Sequence, residues 1–211
     1  MAEITALRIS QGRGKQINIF LNSKPAFRLD AEVVIKEGLK VGQELSAGQI
    51  EALTRCQDFH RCLDTAARYL GYRPRSEYEM RKRLHQRGFD DDSIEAVLAK
   101  LKEQGLIDDA AFAKFWKDNR QSFSPRSQWL TRLELKQKGV PSKVIDQVVS
   151  TIDDTDNAYR AATSRARTLP LSDYHSFRHR LGEYLRRRGF GYGVIIRTIE
   201  RLWQEKGEKA R

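Results

Sequence analysis

The sequence has few of the residues that hold small secreted domains together. Only two of its 211 residues are cysteines. Cys56 and Cys62 are six residues apart, a spacing that places them on different faces of one helix, so neither a disulfide nor a shared metal ion is expected. A zinc-type framework of cysteine and histidine is also missing. We therefore expect reduced thiols in a protein that is not secreted.

Long apolar runs are equally scarce. Runs such as residues 33–35 and 194–196 are far shorter than the roughly 20 residues of a membrane-spanning helix. The N-terminal region lacks the apolar segment and small-residue cleavage site of a secretory signal. No membrane association and a cytoplasmic location are the resulting expectations.

Acidic residues are outnumbered by basic ones. The chain has 39 Lys and Arg against 28 Asp and Glu, a formal net charge of +11. Such a surface attracts polyanions or acidic proteins, although a basic composition also serves solubility alone. With 39% hydrophobic residues and a mean hydropathy of -0.65, the composition is typical of a soluble, helix-rich protein.

One pattern occurs three times, built around glycines that are 51 and 50 residues apart. Each copy has a leucine four residues before the glycine and an apolar residue after it: Leu84-x-x-x-Gly88-Phe89, Leu135-x-x-x-Gly139-Val140 and Leu185-x-x-x-Gly189-Phe190. Three phased apolar positions then follow in each copy: Ile94, Leu98 and Leu101; Ile145, Val149 and Ile152; Ile195, Ile199 and Leu202. Their i, i+4, i+7 spacing marks one face of an amphipathic helix. The chain is therefore predicted to be a repeat protein.

Each copy is predicted to contain three helices. The glycine ends one helix at a positive φ, and acidic, hydroxyl or proline residues after it begin the helix that carries the apolar triplet. A further helix precedes each pair, predicted over residues 59–70, 110–121 and 155–168. We thus predict a mainly α fold of three tandem three-helix-bundle repeats, at residues 59–108, 109–153 and 154–211. Stacked repeats of this kind form an elongated, curved array.

The N-terminal region is different. Residues 4–9 and 16–21 are predicted strands joined by a turn at residues 11–15, and residues 25–29 are a third strand. Asp30 is expected to cap a short helix that ends at Gly38, and residues 40–43 form another turn. Ser46 and Gln49 fit a capping box. The prediction is a β-strand appendage at residues 1–45 and a linking helix at 46–58.

No catalytic or metal site is predicted. The Gly12–Lys15 segment lacks the spacing of a phosphate-binding loop and precedes a strand, so a hairpin turn is the better interpretation. His175 and His179 are one helical turn apart, but the sequence supplies no third ligand nearby. The carboxylates at residues 90–92 and 108–109 stand where helices begin, as caps do. No nucleophile, cofactor or enzymatic activity is indicated.

Core packing explains the tryptophans, whereas the helix dipole explains only part of the basic residues. Trp116, Trp129 and Trp203 have helical spacings from other apolar residues and are expected in the core. Each glycine follows a basic last turn: His85-Gln86-Arg87, Lys136-Gln137-Lys138 and Arg186-Arg187-Arg188. The helix dipole favours one cation there, and the third copy has three. The surplus indicates contact with an anionic partner.

Three stretches of the first copy form a combined motif: Arg75-Ser76-Glu77-x-Glu79-Met80-x-x-x-Leu84-x-x-x-Gly88-Phe89, Ile94-x-x-Val97-x-x-x-Leu101 and Gly105-Leu106-Ile107-Asp108-Asp109-x-x-Phe112-Ala113. The second copy continues it with Leu133-x-Leu135-x-x-x-Gly139-Val140. The third departs from it at Arg178 and Gly182. The combination resembles the RecX family of bacterial recombination regulators over nearly the whole chain, and the N-terminal strands are similar to an extension of its longer members.

The resemblance implies a non-enzymatic regulator built of tandem three-helix repeats. Members of the family bind the RecA filament on single-stranded DNA, lie in its helical groove and block its extension. They lower its ATPase, strand-exchange and coprotease activities, and some bind DNA directly. The resemblance brings no list of contact residues, because the matching motif residues are fold determinants.

The recurrence of cations at one place in each copy supplies a hypothesis for the partner surface. It consists of nine residues: Arg81, Lys82, Arg87, Arg132, Lys136, Lys138, Arg186, Arg187 and Arg188. The alternative is a helix-turn-helix-like nucleic-acid-binding protein that acts without RecA. A scaffold for another acidic protein is a third reading. Filament capping and groove coating both stay open, as does direct DNA contact, and a monomer is expected.

Overall fold

The computed structural model describes residues 1–10, 16–170 and 173–209, with side chains as far as residue 206. Its strands are β1 (Ala2–Ile9), β2 (Gln16–Leu21), β3 (Lys24–Asp30) and β4 (Glu44–Leu45). Its helices are α1 (Ala31–Lys36), α2 (Ala47–Leu70), α3 (Glu77–His85), α4 (Asp91–Glu103), α5 (Asp109–Phe123), α6 (Gln128–Gln137), α7 (Ser142–Val149), α8 (Asp154–Ala166), α9 (Tyr174–Arg187) and α10 (Tyr192–Lys209). The turn predicted at residues 11–15, with its Gly12–Lys15 segment, lies outside the described residues.

Contacts within the chain divide it into two units. Unit 1 comprises Met1–Arg73 and Met80–Gln104, and unit 2 comprises Pro74–Glu79 and Gly105–Arg211. The N-terminal sheet, α2 and α4 lie in unit 1, and the second and third copies of the repeat lie in unit 2.

The sheet of unit 1 confirms the three predicted strands and adds a short fourth. Antiparallel pairing gives the order β3-β2-β1-β4, with β4 joined to the beginning of β1. Ile4, Ile19 and Leu29 point into a core that α1 and α2 cover, because alternate residues of a strand share a face. Asp30 does precede α1, but its side chain makes no capping bond and accepts a hydrogen bond from Gln57 Nε2 at 2.7 Å instead.

Helix α2 is one uninterrupted helix of 24 residues. The predicted linking helix at 46–58 and the first repeat helix at 59–70 are two parts of it, with no helix boundary at residues 58 and 59. Its beginning confirms the capping box: Ser46 Oγ accepts from the Gln49 backbone N–H at 3.2 Å, and Gln49 Oε1 accepts from the Ser46 N–H at 2.8 Å.

The three predicted glycine turns are confirmed. Gly88, Gly139 and Gly189 have φ of 81°, 73° and 84°, in the left-handed region that glycine occupies without steric cost. In each copy the N–H after the glycine reaches back to the carbonyl of the buried leucine, as between Phe89 N and Leu84 O at 3.4 Å. This Schellman motif closes the middle helix of each copy before α4, α7 or α10 begins.

The cores of the copies follow the predicted apolar phase. The nine triplet positions from Ile94 to Leu202 are all buried. In the second copy they pack with Phe112 and Leu135, and in the third with Phe177 and Leu181. Trp116 and Trp203 pack against these cores as expected. The expectation for Trp129 is wrong: the residue is 62% exposed, because it lies near the beginning of α6 on the side away from the second core.

Within unit 2, the glycine turn of one copy rests on the beginning of the preceding copy's middle helix. A Cβ on Gly139 would lie 2.3 Å from Tyr78 Cβ, and one on Gly189 would lie 2.6 Å from Ser127 Oγ. Ser76 Oγ donates to the Lys138 carbonyl at 2.6 Å in the same joint. Only a residue without a side chain permits the turn to approach the Tyr78 and Ser127 side chains this closely, so these glycines also join the copies.

Two aspartates reinforce the joints. Asp109 Oδ1 accepts from the Glu77 N–H at 2.9 Å, and Asp154 Oδ1 accepts from the Gln128 N–H at 2.7 Å. Each therefore caps a helix other than its own, while Asp108 caps α5 as predicted. Asp154 is half-buried, and this burial raises the pKa of its carboxyl.

Candidate functional site: basic surfaces of the two units

The nine predicted partner residues lie on or directly after the three middle helices, but they fall into different environments. Six of them are exposed to solvent: Arg132, which pairs with a carboxylate, and five that we call the last-turn cations, namely Lys82, Arg87, Lys136, Arg186 and Arg187. Arg186 also forms an ion pair within its own helix, with its Nη2 3.0 Å from Glu183 Oε2. An exposed intrahelical pair is weak, so this set still presents positive charge to solvent in every copy.

Arg81 and Arg132 occupy corresponding places in the first two copies, and each pairs with a carboxylate on the following helix. Arg81 binds Glu95 through both of its terminal nitrogens, one of them at 3.2 Å. Arg132 binds Asp146. In the third copy Gly182 stands where these arginines stand, so no such pair forms there. The charge of both arginines is therefore partly compensated at the surface.

Lys138 and Arg188 differ from the exposed cations that the pattern predicts, because both are half-buried in unit 2. Lys138 Nζ lies 2.5 Å from Glu79 Oε1 and 4.2 Å from the centre of the Trp116 ring. Arg188 Nη1 donates to Ser124 Oγ at 2.7 Å. These residues hold neighbouring copies together, so their charge serves the fold before any partner.

Glu134 gathers a polar network inside the second copy that the sequence did not indicate. Its Oε2 accepts from Trp116 Nε1 at 2.7 Å and from Arg120 Nε at 2.9 Å, and Arg126 binds the other oxygen. The Glu134 side chain is only 11% exposed. Burial lowers the pKa of both guanidinium groups, although they stay charged because arginine titrates far above neutral pH. The network satisfies its buried charges internally and is structural.

Unit 1 has a basic surface that the repeat pattern did not single out. A hollow of about 430 Å³ is lined by Arg61, Thr65, Arg68, Tyr69, Tyr72, Arg83, Arg87 and Phe89. We call it the basic hollow. Residues 61, 65, 68, 69 and 72 have the spacing of one face of α2, which the sequence could have indicated. The three other members, Arg83, Arg87 and Phe89, belong to α3 and the residues just after it, and they meet the α2 face only through the fold.

A second hollow, of about 610 Å³, adjoins the first because Arg61 lines both. Its lining comes mainly from β2 and β3 and includes Phe20, Phe27 and Arg28. We call it the sheet hollow. The guanidinium of Arg8 lies over the Phe20 ring at 4.8 Å, and Arg28 Nε donates to Asn18 Oδ1 at 3.0 Å. Cations and aromatic rings therefore lie close together on one surface of unit 1.

The histidines and the buried cysteine that could act as ligands or nucleophiles lie in different environments. Among the described residues, no group of three or more His, Cys, Asp and Glu is placed to hold a metal ion. His175 and His179 are exposed. Cys62 is fully buried, and this burial, with a smaller effect from Asp90, raises the pKa of its thiol to about 11. In the part of the chain that the structure describes, no helix has the length and apolarity needed to cross a membrane.

Comparison with protein families identifies the first two repeats. The model of the first three-helix domain of RecX matches residues 62–101, and the model of the second matches residues 108–149. The first match begins inside α2 and ends inside α4, and the second covers α5, α6 and α7 completely.

Similar proteins extend the match to nearly the whole chain. Regulatory protein RecX of Chlorobaculum tepidum is 34% identical over 148 residues, which are 70% of this chain and 92% of the relative. Regulatory protein RecX of Clostridium botulinum (strain Eklund 17B / Type B) is 29% identical over 206 residues, 95% of this chain and 96% of the relative.

Solved structures agree on the fold. A crystal structure of regulatory protein RecX has a TM-score of 0.64 and 26% identity, and it covers 92% of this chain and 97% of its own. The structure of RecX from Lactobacillus salivarius has a TM-score of 0.59 and 21% identity over 70% of this chain and 97% of its own. The similarity therefore includes regions outside the two domain models.

Proposed function

The chain belongs to the RecX family of regulatory proteins, and we propose that it binds the RecA filament on single-stranded DNA and inhibits it. The inhibited activities are filament extension, ATP hydrolysis, strand exchange and coprotease action. The observation that carries the proposal is the similarity to regulatory proteins RecX along 95% of the chain. We further propose a non-enzymatic, cytoplasmic protein, because regulation by binding requires no catalytic group.

The last-turn cations are the proposed filament contact. Each copy has at least one of them in or just after the last turn of its middle helix, and they are exposed, so they can approach a partner without unfolding. A filament assembled on DNA carries phosphate charge, and exposed cations near it accelerate association and fix the register of the complex. Lys138 and Arg188 are left out of this set, since they already bind neighbouring groups within unit 2.

The test is RecA ATP hydrolysis on single-stranded DNA, with this protein added at substoichiometric ratios. Slower hydrolysis is expected from the unaltered chain. Lys136→Glu with Arg187→Glu should weaken the inhibition and reduce its dependence on salt, because both residues are exposed. Reversal of the whole run from Arg186 to Arg188 is a poorer test, since removal of Arg188 also breaks its bond to Ser124.

The matched control is Lys40→Glu with Lys143→Glu, which makes the same change of charge at two exposed residues outside the last-turn set. Its inhibition should stay close to that of the unaltered chain. Equal weakening by both double variants would reject the surface assignment. No slowing of hydrolysis by the unaltered chain at any ratio would reject the proposed function itself.

A nucleic-acid-binding protein that acts without RecA is the second candidate. The basic hollow favours it, because four arginines line one concave surface. This candidate predicts binding to bare DNA that falls steeply with salt, together with unchanged RecA activity. The ATPase assay therefore separates the two candidates.

A further inference from the structure

One face of α6, in unit 2, presents apolar side chains to solvent. Trp129 is 62% exposed and Leu133 is 38% exposed. The two residues are four positions apart on one helix, so their side chains are neighbours on its surface. Lys136 is exposed one turn further along the same face. We call Trp129 and Leu133 the α6 apolar pair.

The α6 apolar pair is particular to the second copy. The residues at the corresponding positions, counted from the glycine of each copy, are more polar: Tyr78 and Lys82 in the first copy, and His179 and Glu183 in the third. The three-helix fold therefore forms with a charged residue in place of Leu133. Stability of the repeat does not explain why the second copy has an exposed leucine beside an exposed tryptophan.

Cations border the α6 apolar pair. The Trp129 ring lies beside the glycine turn of the third copy, since a Cβ on Gly189 would be 3.1 Å from Trp129 Cε3. Arg186 and Arg187 come directly before that turn and are exposed, as is Lys136 on α6 itself. An exposed tryptophan with arginines around it has the composition of a protein-binding hot spot.

Leu133 distinguishes a protein from a nucleic acid as the occupant of this face. An indole ring either stacks on a base or fills an apolar pocket of a protein. A leucine has no ring to stack on a base and gains nothing beside a phosphate, whereas an apolar pocket accepts both members of the pair. The neighbouring cations are matched by acidic residues at the rim of such a pocket.

We propose that the α6 apolar pair docks into an apolar pocket with an acidic rim on a protein partner, with Trp129 as the anchor. The inference rests on the function proposed above and deepens it: the partner is the protein subunit of the filament rather than its DNA. Lys136 and Arg187 then guide the encounter, and Trp129 and Leu133 supply the part of the affinity that salt does not screen.

The first experiment uses Leu133→Lys in the assay of RecA ATP hydrolysis on single-stranded DNA. This variant has the residue that the first copy has at the same position, so it should fold. It should weaken inhibition about fivefold or more, because an ammonium group is costly to bury in an apolar pocket. Leu106→Lys is the matched control: it makes the same change at a leucine of unit 2 that is 55% exposed and outside α6, and it should alter inhibition little.

The second experiment uses Trp129→Ala at low and high salt. Inhibition should weaken about tenfold or more, by a similar factor at both salt concentrations, because the lost contact is apolar. Trp129→Tyr, with the ring of the first copy, should recover part of the loss. A urea titration of each variant, followed by Trp116 and Trp203, shows whether the joint at Gly189 is still folded under the assay conditions.

The outcomes separate this inference from the proposed function. Undiminished inhibition by Leu133→Lys and Trp129→Ala would overturn the inference and leave the proposed function standing. Stronger inhibition by Leu133→Lys would assign the face to nucleic acid, as would oligothymidylate binding without RecA that only Trp129→Ala weakens. Dimers in sedimentation that Trp129→Ala abolishes would assign it to a second copy of the chain. No inhibition by the unaltered chain would reject the proposed function and this inference together.

Discussion

Gly139→Ala provides the most direct test of how the copies are joined. At φ of 73° an alanine is strained by about 1–2 kcal/mol, and the gain from a stiffer unfolded chain offsets part of this. The new Cβ would also lie 2.3 Å from Tyr78 Cβ and 2.6 Å from Tyr78 Cγ, much closer than atoms can pack. Relief of this overlap requires the joint to open, at a cost of about 1–3 kcal/mol more.

Gly105→Ala is the matched control within the same unit. Gly105 also has a positive φ, of 67°, but no neighbouring atom lies within 4 Å of the position that its Cβ would take. It should therefore lose about 1 kcal/mol of unfolding free energy, against about 2–4 kcal/mol for Gly139→Ala. All three tryptophans, Trp116, Trp129 and Trp203, lie in unit 2, so their fluorescence in a urea titration reports this unit.

A double-mutant cycle attributes the difference to the contact. Tyr78→Gly removes the atoms nearest to the new methyl group, so it should cost less in the Gly139→Ala background than in the unaltered chain. The expected coupling is about 1 kcal/mol or more. Equal losses for Gly139→Ala and Gly105→Ala, or a coupling near zero, would refute the close approach as the reason for glycine at this joint.

Other substitutions test the remaining contacts. Glu134→Gln leaves two half-buried arginines without their carboxylate and should cost about 3 kcal/mol of unfolding free energy. Asp146→Asn removes one partner of an exposed pair and should cost less than about 1 kcal/mol. Urea titrations that give equal losses for the two variants would contradict this difference. The Ser93 backbone N–H lowers the pKa of Asp90, so the ionised carboxylate stabilises the fold fully above about pH 4, and this stabilisation is lost as pH falls through the lowered pKa. Asp90→Asn should flatten that part of a profile of unfolding free energy against pH. An unchanged profile would argue against the cap. At neutral pH iodoacetamide should modify Cys56 well before Cys62, whose thiol is buried with a pKa of about 11, and equal rates by mass spectrometry would refute this burial.

The repeat was predictable because its signals are local. A left-handed glycine after a buried leucine, and an apolar triplet at helical spacing, depend on residues that are neighbours in sequence. The same holds for the capping box at Ser46 and Gln49. The continuity of α2 was also available to sequence reasoning, since no proline or glycine occurs between Gln49 and Leu70 to end the helix.

The environments of the charged residues were not predictable, because they depend on distant partners. Lys138 has the sequence setting of a surface cation, yet Glu79, 59 residues earlier, pairs with it. Asp109 looks like a cap for its own helix and caps α3 instead. The strand β4 has only two residues, too few for any alternation to mark it. Burial of such groups is decided by tertiary packing, which overrides local preference.

The basic hollow was predictable from the sequence only in part. Its contribution from α2 is visible as a helical stripe of Arg61, Thr65, Arg68 and Tyr72 in the sequence. A stripe of this kind is ordinarily a solvated face, and it lines a hollow here because the fold places Arg83, Arg87 and Phe89 beside it. The sequence therefore indicates the α2 face of this candidate site. The hollow itself could not be predicted, because it depends on residues that only the fold brings to that face.

The glycine joints give the row of repeats a direction, because the two sides of a joint are different. Each joint needs a bare glycine turn on the later copy and a serine-capped helix start, Ser76 or Ser127, on the earlier one. In the third copy the middle helix starts sooner, at an N-cap of Asp173, and the residue in register with those serines is the buried Phe177. The third copy can therefore pack on the second, but it has no serine-capped helix start on which a further copy could pack. Lengthening such a protein by duplication would therefore succeed by inserting copies of the second kind, and would fail by appending them after the third.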